Sequence, residues 1–193
     1  MIGKLTEGNI TRALIKFSFQ MILGNLLQQL YNVADTFIVG HYIGTDALAA
    51  VGSSFTIMTF LTSIILGLCM GSGILFSMLF GAKEVDKMKT SFFVSFIGIA
   101  VLALIIEILC LLCIHPILTF LNIPTDIYQQ TYDYLWIIFF GFFFTFLYNY
   151  FSCVLRALGN SRVPLIFLAI ATTVNIILDI FFIVSLNLSL LIL

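Results

Sequence analysis

Charge is the scarcest property of this chain. Only 9% of its residues are Asp, Glu, Lys or Arg, against about a quarter in soluble domains. With 62% hydrophobic residues and a mean hydropathy of +1.19, that excludes a globule surrounded by water and leaves an integral membrane protein. The few basic residues form no single patch, so nothing points to nucleic acid, and the expected partners are lipid, ions and solutes. The sequence also lacks a G-x-x-x-x-G-K-[ST] loop for ATP, a zinc motif and any Ser/His/Asp arrangement, so the expectation is no enzyme and no cofactor. Cysteine is sparse and poorly placed for disulfides. Cys69, Cys110, Cys113 and Cys153 all fall in apolar runs, where a thiol acts as a small hydrophobe, and the Cys110/Cys113 C-x-x-C has no second ligand pair beside it.

What is present is long apolar runs. A bilayer core takes about 20 residues per helix, and five runs qualify: about 14–39, 48–80, 92–114, 132–154 and 163–184, with a sixth beginning at Leu188. The first is too long for a signal-peptide core and has no A-x-A-like site after it, so it is read as a retained helix. The second exceeds one perpendicular crossing; it is expected to tilt, bend or project, with Gly67, Gly71 and Gly73 as the places for a bend or close helix contact. Turn and boundary signals lie between the runs, at Gly40 to Asp46, Gly81 to Lys89, His115 and Pro116 to Pro124, and Arg156 to Arg162 with Pro164 at a helix start. Backbone in lipid must satisfy its own polar groups, so the runs are helices, and their length excludes barrel strands. The fold class is all-α integral membrane.

Every basic residue falls at alternate ends of these runs: Lys4, Arg12 and Lys16 before the first, Lys83, Lys87 and Lys89 between the second and third, and Arg156 and Arg162 between the fourth and fifth. By the positive-inside rule those ends, including the N-terminus, face the cytoplasm of a multi-pass plasma-membrane protein. Asp35 lies 19 residues beyond Lys16 and Asp179 lies 17 beyond Arg162, about 28 and 26 Å along helices running the same way. The acids can meet at one depth in the outer half of the bilayer.

Around them the polar residues follow helical spacing. Asn25, Gln28, Asn32 and Asp35 line one face of the first helix, widened by Gln29 and Thr36; Thr172, Asn175 and Asp179 share a face of the fifth. Unpaired polar groups cost several kcal/mol each in hydrocarbon, so a polar cavity between these helices is expected. A carboxylate with amide oxygens is a hard ligand set for Na⁺, and a carboxyl withdrawn from water can exchange a proton. The alternative is that the stripes are hydrogen-bonding glue between helices. Glu107, 18 residues beyond Lys89 and at about 27 Å, shares its face with Ala100, Ala103 and Cys110 and is expected to point into protein, for transport or for pairing. Tyr132, Tyr134, Trp136 and Asp133 cluster like an interface belt, His41 and His115 read as solvated or capping histidines, and Phe139 to Phe146 as core or lipid-facing packing.

Three stretches carry a family resemblance: LGNLLQQLYNVADTFIVGHYIGTDALAAVG from Leu23 to Gly52, VLRALGNSRVPL from Val154 to Leu165, and NIILD from Asn175 to Asp179. Together they resemble the multidrug and toxic compound extrusion (MATE) family of transporters. The resemblance implies one bundle of a two-bundle, pseudo-symmetric fold that expels cationic or amphipathic compounds in exchange for Na⁺ or H⁺. It also implies an ion or proton site built from Asp35, Asn175 and Asp179; Gln28, Asn32, Thr36, Thr172 and Glu107 are read from their spacing and depth as further polar-cavity residues. Many members carry a proline in the inner half of the first helix, where this chain has Phe19, Gln20 and Met21. Residues 1–193 are thus expected to form the N-terminal transmembrane lobe alone, a fragment or a truncated product needing its C-terminal lobe or another copy. The alternative readings are a lipid-linked saccharide flippase of the same superfamily and a non-transporting membrane scaffold.

Overall fold

A computed structural model describes residues 10–186; the side chains of Ile10, Ile43, Asp179, Ile180 and 182–186 lie outside the description, as do Lys4 and the sixth helix expected from Leu188. Every element of the described chain is a helix or a helical turn. In order it forms α1 (Ile10–Ile38), a π-helical turn (Val39–Ile43), α2 (Thr45–Gly81), α3 (Val85–Leu112), α4 (Ile114–Phe120), a 3₁₀ turn (Thr125–Ile127), α5 (Tyr128–Phe140), α6 (Phe142–Ala157) and α7 (Arg162–Leu186). Arg12 and Lys16 lie inside α1 rather than ahead of it, because helical backbone extends past the apolar run into its basic flank.

The long second run stays one helix. Its 37 residues span about 56 Å at about 1.5 Å per residue, well beyond a hydrocarbon core of about 30 Å. It does not break at Gly67 or Gly71, where an added Cβ would meet open space. Gly73 is the close contact: a Cβ there would lie 3.6 Å from the Cys153 carbonyl and 3.9 Å from Ala157 Cβ, so α6 packs directly on this point of α2.

The fourth run, expected as one helix, is instead two. α5 and α6 meet at 46° across Gly141. A bend in apolar surroundings leaves backbone groups without partners, and Glu107 of α3 fills the gap: its Oε2 accepts a hydrogen bond of 3.0 Å from the Phe143 amide in the first turn of α6. The boundary stretch His115–Pro124 likewise contains a helix, α4, with Pro116 in its first turn, where a missing N–H is harmless.

α2, α3, α5 and α6 pack together around one aromatic core. Phe76, Phe139, Phe142, Phe146 and Tyr150 are fully buried there, while Phe140 and Phe144 of the same Phe-rich run face outward. Tyr150 carries its hydroxyl into this core by donating to the Phe92 carbonyl at 2.8 Å and meeting Ser95 Oγ at 2.9 Å. α1 and α7 form a separate pair laid against the core, α1 joined to α2 through the π turn and α7 touching α6. α2, α3 and the bent α5–α6 span are long and apolar enough to cross a membrane by composition alone; α1, diluted by its polar stripe, is not.

Candidate functional site

The α1–α7 pair sets the site, and two contacts fix its register. Ser161 Oγ donates to Gln20 Oε1, and a Cβ on Gly24 would lie 3.8 Å from Leu165 Cδ1. Both contacts join residues 141 positions apart, so the helices run parallel with that offset. Carried up the pair at equal rise, the offset puts Asn175 level with Ala34, within about 1.5 Å axially of Asp35, and Asp179 about 4.5 Å beyond it. Asp35 and Asn175 are both half-buried.

Asn175 Oδ1 is buried, and among the described residues it has no hydrogen-bond partner. An amide oxygen kept from water without a donor carries a cost of about 1–3 kcal/mol, which a cation or a protonated acid at that point removes. The Asp35 carboxylate and this oxygen are the candidate ligands for a hard monovalent cation. Asp179 lies one turn beyond Asn175 in α7, and its side chain lies outside the described residues.

The other polar residues divide. Asn32 is half-buried and donates to Gln29 Oε1 at 3.3 Å, while the exposed Thr36 donates to the Asn32 carbonyl at 2.7 Å, so these two are tied within α1. Thr172 is half-buried one turn below Asn175, and Gln28 and Asn25 are exposed on α1. Gln28 and Asn25 line a polar cavity of about 240 Å³ between α1, α6 and α7, which lies nearer the basic end of the bundle than Asp35 does. A cavity thus lies between these helices on the basic side of Asp35, and Asn32, Thr36 and Thr172 do not line it. Glu107 is not brought to this group: α3 packs on α2, α5 and α6, and its carboxylate is committed to Phe143.

Tyr134 is the residue that the linear sequence placed elsewhere. Its phenol lies within electrostatic range of both Asp35 and Tyr31. Val39, one turn beyond Asp35, is buried with Ala47 of α2, and Tyr134 packs on that pair. The π turn makes this possible by folding the end of α1 onto the start of α2. A Tyr in an aromatic belt and a Tyr beside a buried acid look alike in sequence; only the turn geometry separates them. The histidines stand apart from the site, His41 exposed and stacked at 5.6 Å on Phe37, and His115 exposed, with Nδ1 2.9 Å from the Tyr128 hydroxyl. Among the described residues no three His, Cys, Asp or Glu side chains gather to hold a metal.

The chain matches the MatE family model over residues 21–181. It is 31% identical over 177 residues to the probable multidrug resistance protein YoeA of Bacillus subtilis, covering 90% of this chain and 37% of that protein. To the probable multidrug resistance protein YpnP of the same organism it is 33% identical over 173 residues, covering 90% and 39%. The fold superposes with a TM-score of 0.90 on a multidrug resistance MATE family transporter of the MOP superfamily in its outward-facing conformation, at 24% identity over all of this chain and 43% of that one. The bent conformation of a MATE protein gives 0.89, again at 24% identity and over 43% of its length. The chain thus spans less than two-fifths of the length of these two sequence relatives.

Proposed function

Because the chain belongs to the MatE family, we propose that it forms the N-terminal half of a multi-pass, cation-coupled multidrug efflux antiporter in the plasma membrane. In this reading its N-terminus is cytoplasmic and Na⁺ or H⁺ drives export of cationic or amphipathic compounds. Asp35, Asn175 and Asp179 hold the coupling ion, and a second lobe supplies the surface against which this one rocks, as alternating access requires. The observation that carries the reading is the parallel α1–α7 register, which brings a half-buried carboxylate level with an amide oxygen that has no partner among the described residues.

Coupling then follows from charge. Asp35 without its ion is an uncompensated charge beside apolar walls, and an ion or proton removes that penalty. A cationic substrate competes for the same negative field, so occupancy by one disfavours the other. The names of YoeA and YpnP, each a probable multidrug resistance protein, agree with this assignment.

The test uses a transporter containing both halves. Asp35→Asn and Asp179→Asn should each abolish ion-driven dye efflux from intact cells while the protein still inserts. Efflux at the wild-type rate in both variants refutes the reading.

A further inference from the structure

The polar cavity on the basic side of Asp35 has a character that the ion site does not require. It is lined by Gln20, Asn25, Gln28, Asn149, Arg156 and Ser161, together with apolar residues such as Met21 and Leu168. A second cleft of about 400 Å³ adjoins it, lined by Lys16, Gln20, Asn160, Ser161 and Arg162 beside Phe17 and Ile166. The clefts share Gln20 and Ser161, whose hydrogen bond stands between them. No acidic residue lines either one. Among the described residues no acid pairs with Lys16, Arg156 or Arg162, whereas Lys87 and Lys89, at the α2–α3 end, are paired with Glu84 and Asp86 at 2.9 and 3.6 Å.

This lining excludes a resting place for the coupling cation, since Arg156 repels it. It suits an anion with several acceptor oxygens. Arg156 Nε donates to the Ser152 carbonyl at 3.1 Å and the guanidinium also interacts with the Cys153 thiol; a guanidinium carries five N–H donors, so donors remain for an anion, and the amide and hydroxyl side chains supply neutral ones. The apolar lining beside the cations, Phe17 and Ile166 in the outer cleft, matches a ligand with a charged head and a hydrocarbon body. Gln28, the nearest lining residue on α1 to Asp35, is seven positions before it, about 10 Å lower at the helical rise. The two sites are separate.

We propose that the joined clefts between α1, α6 and α7 bind a phosphate group, supplied in the membrane by the headgroup of an anionic lipid. The binding does not depend on transport and can be read on this chain alone. Basic pockets between helices at the cytoplasmic surface face the leaflet in which anionic headgroups concentrate.

The chain is reconstituted in vesicles of phosphatidylcholine mixed with phosphatidylglycerol, and the lipid that stays bound after extraction is measured by native mass spectrometry. Phosphatidylglycerol should be retained over phosphatidylcholine, and Arg156→Gln and Lys16→Gln should each lower its retention about fivefold. Lys87→Gln should leave retention unchanged. Should Arg156→Gln fail to fold, the exposed Lys16→Gln and the charge-keeping Arg156→Lys carry the comparison. In a second arm, inorganic phosphate is titrated against the chain in phosphatidylcholine alone. A rise in unfolding temperature that Arg156→Gln removes supports the phosphate site and names a free anion as its source. Equal retention of both lipids with no effect of phosphate overturns the proposal, and so does a loss of preference in Lys87→Gln equal to that in Arg156→Gln.

Discussion

At the scale of single residues, the molecule uses its few charges for separate tasks. Glu107 and Asp35 both sit in apolar helices at nearly equal predicted depth, yet Glu107 has a backbone donor and Asn175, beside Asp35, has none among the described residues. Glu107→Leu leaves the Phe143 amide unpaired at the bend and should cost about 1–3 kcal/mol, read as a lower unfolding temperature in detergent. Glu107→Gln keeps an acceptor oxygen and should retain most of that stability. Tyr150→Phe removes the hydroxyl that serves Phe92 and Ser95 and should cost about 1 kcal/mol. The stripe that carries Asp35 and the one that carries Asn175 were legible in the sequence, because helical period is a local quantity. Tyr134 and the fate of Glu107 were not legible, since each depends on a helix distant in sequence.

Among elements, glycine position decides which helices touch. Gly73 lies against Cys153 and Ala157, while Gly67 faces open space in the same helix. Gly73→Leu should therefore force α2 from α6 and cost about 1–3 kcal/mol by overpacking. Gly67→Ala should be neutral or stabilise by up to about 1 kcal/mol through helix propensity; thermal unfolding of the two variants side by side checks the contrast. The turns add a third case. α2 closes on Lys83 at φ 60°, and the α6–α7 connection closes on Gly159 at φ 79°, each followed by an amide that reaches back five residues. Lys83→Gly relieves the left-handed strain that Gly159 avoids and should stabilise by about 0.5–1 kcal/mol. Helix existence was readable from apolar length alone. The α5–α6 break was not, because Gly141 is one glycine among several in apolar runs and what fixes the bend is a carboxylate arriving from α3.

Across the whole molecule, the aromatic core belongs to α2, α3, α5 and α6, and α1 and α7 form a pair at its side. Stability is therefore uneven, and hydrogen exchange in detergent should release the α1 and α7 amides before those of α2 and α6. Uniform exchange across all helices contradicts this division. The arrangement suits the proposed role, since the helices that carry the proposed ion ligands are the ones least anchored in the core. The sequence by itself determined an all-helical membrane protein with long apolar runs and basic residues at their alternate ends, because each follows from apolar length and charge position. Only the tertiary structure decided the 141-residue register of α1 on α7, the bend held by Glu107, the place of Tyr134 and the acid-free cleft around Arg156. Those depend on which helix faces meet, and no local pattern encodes the rotation of one helix against another.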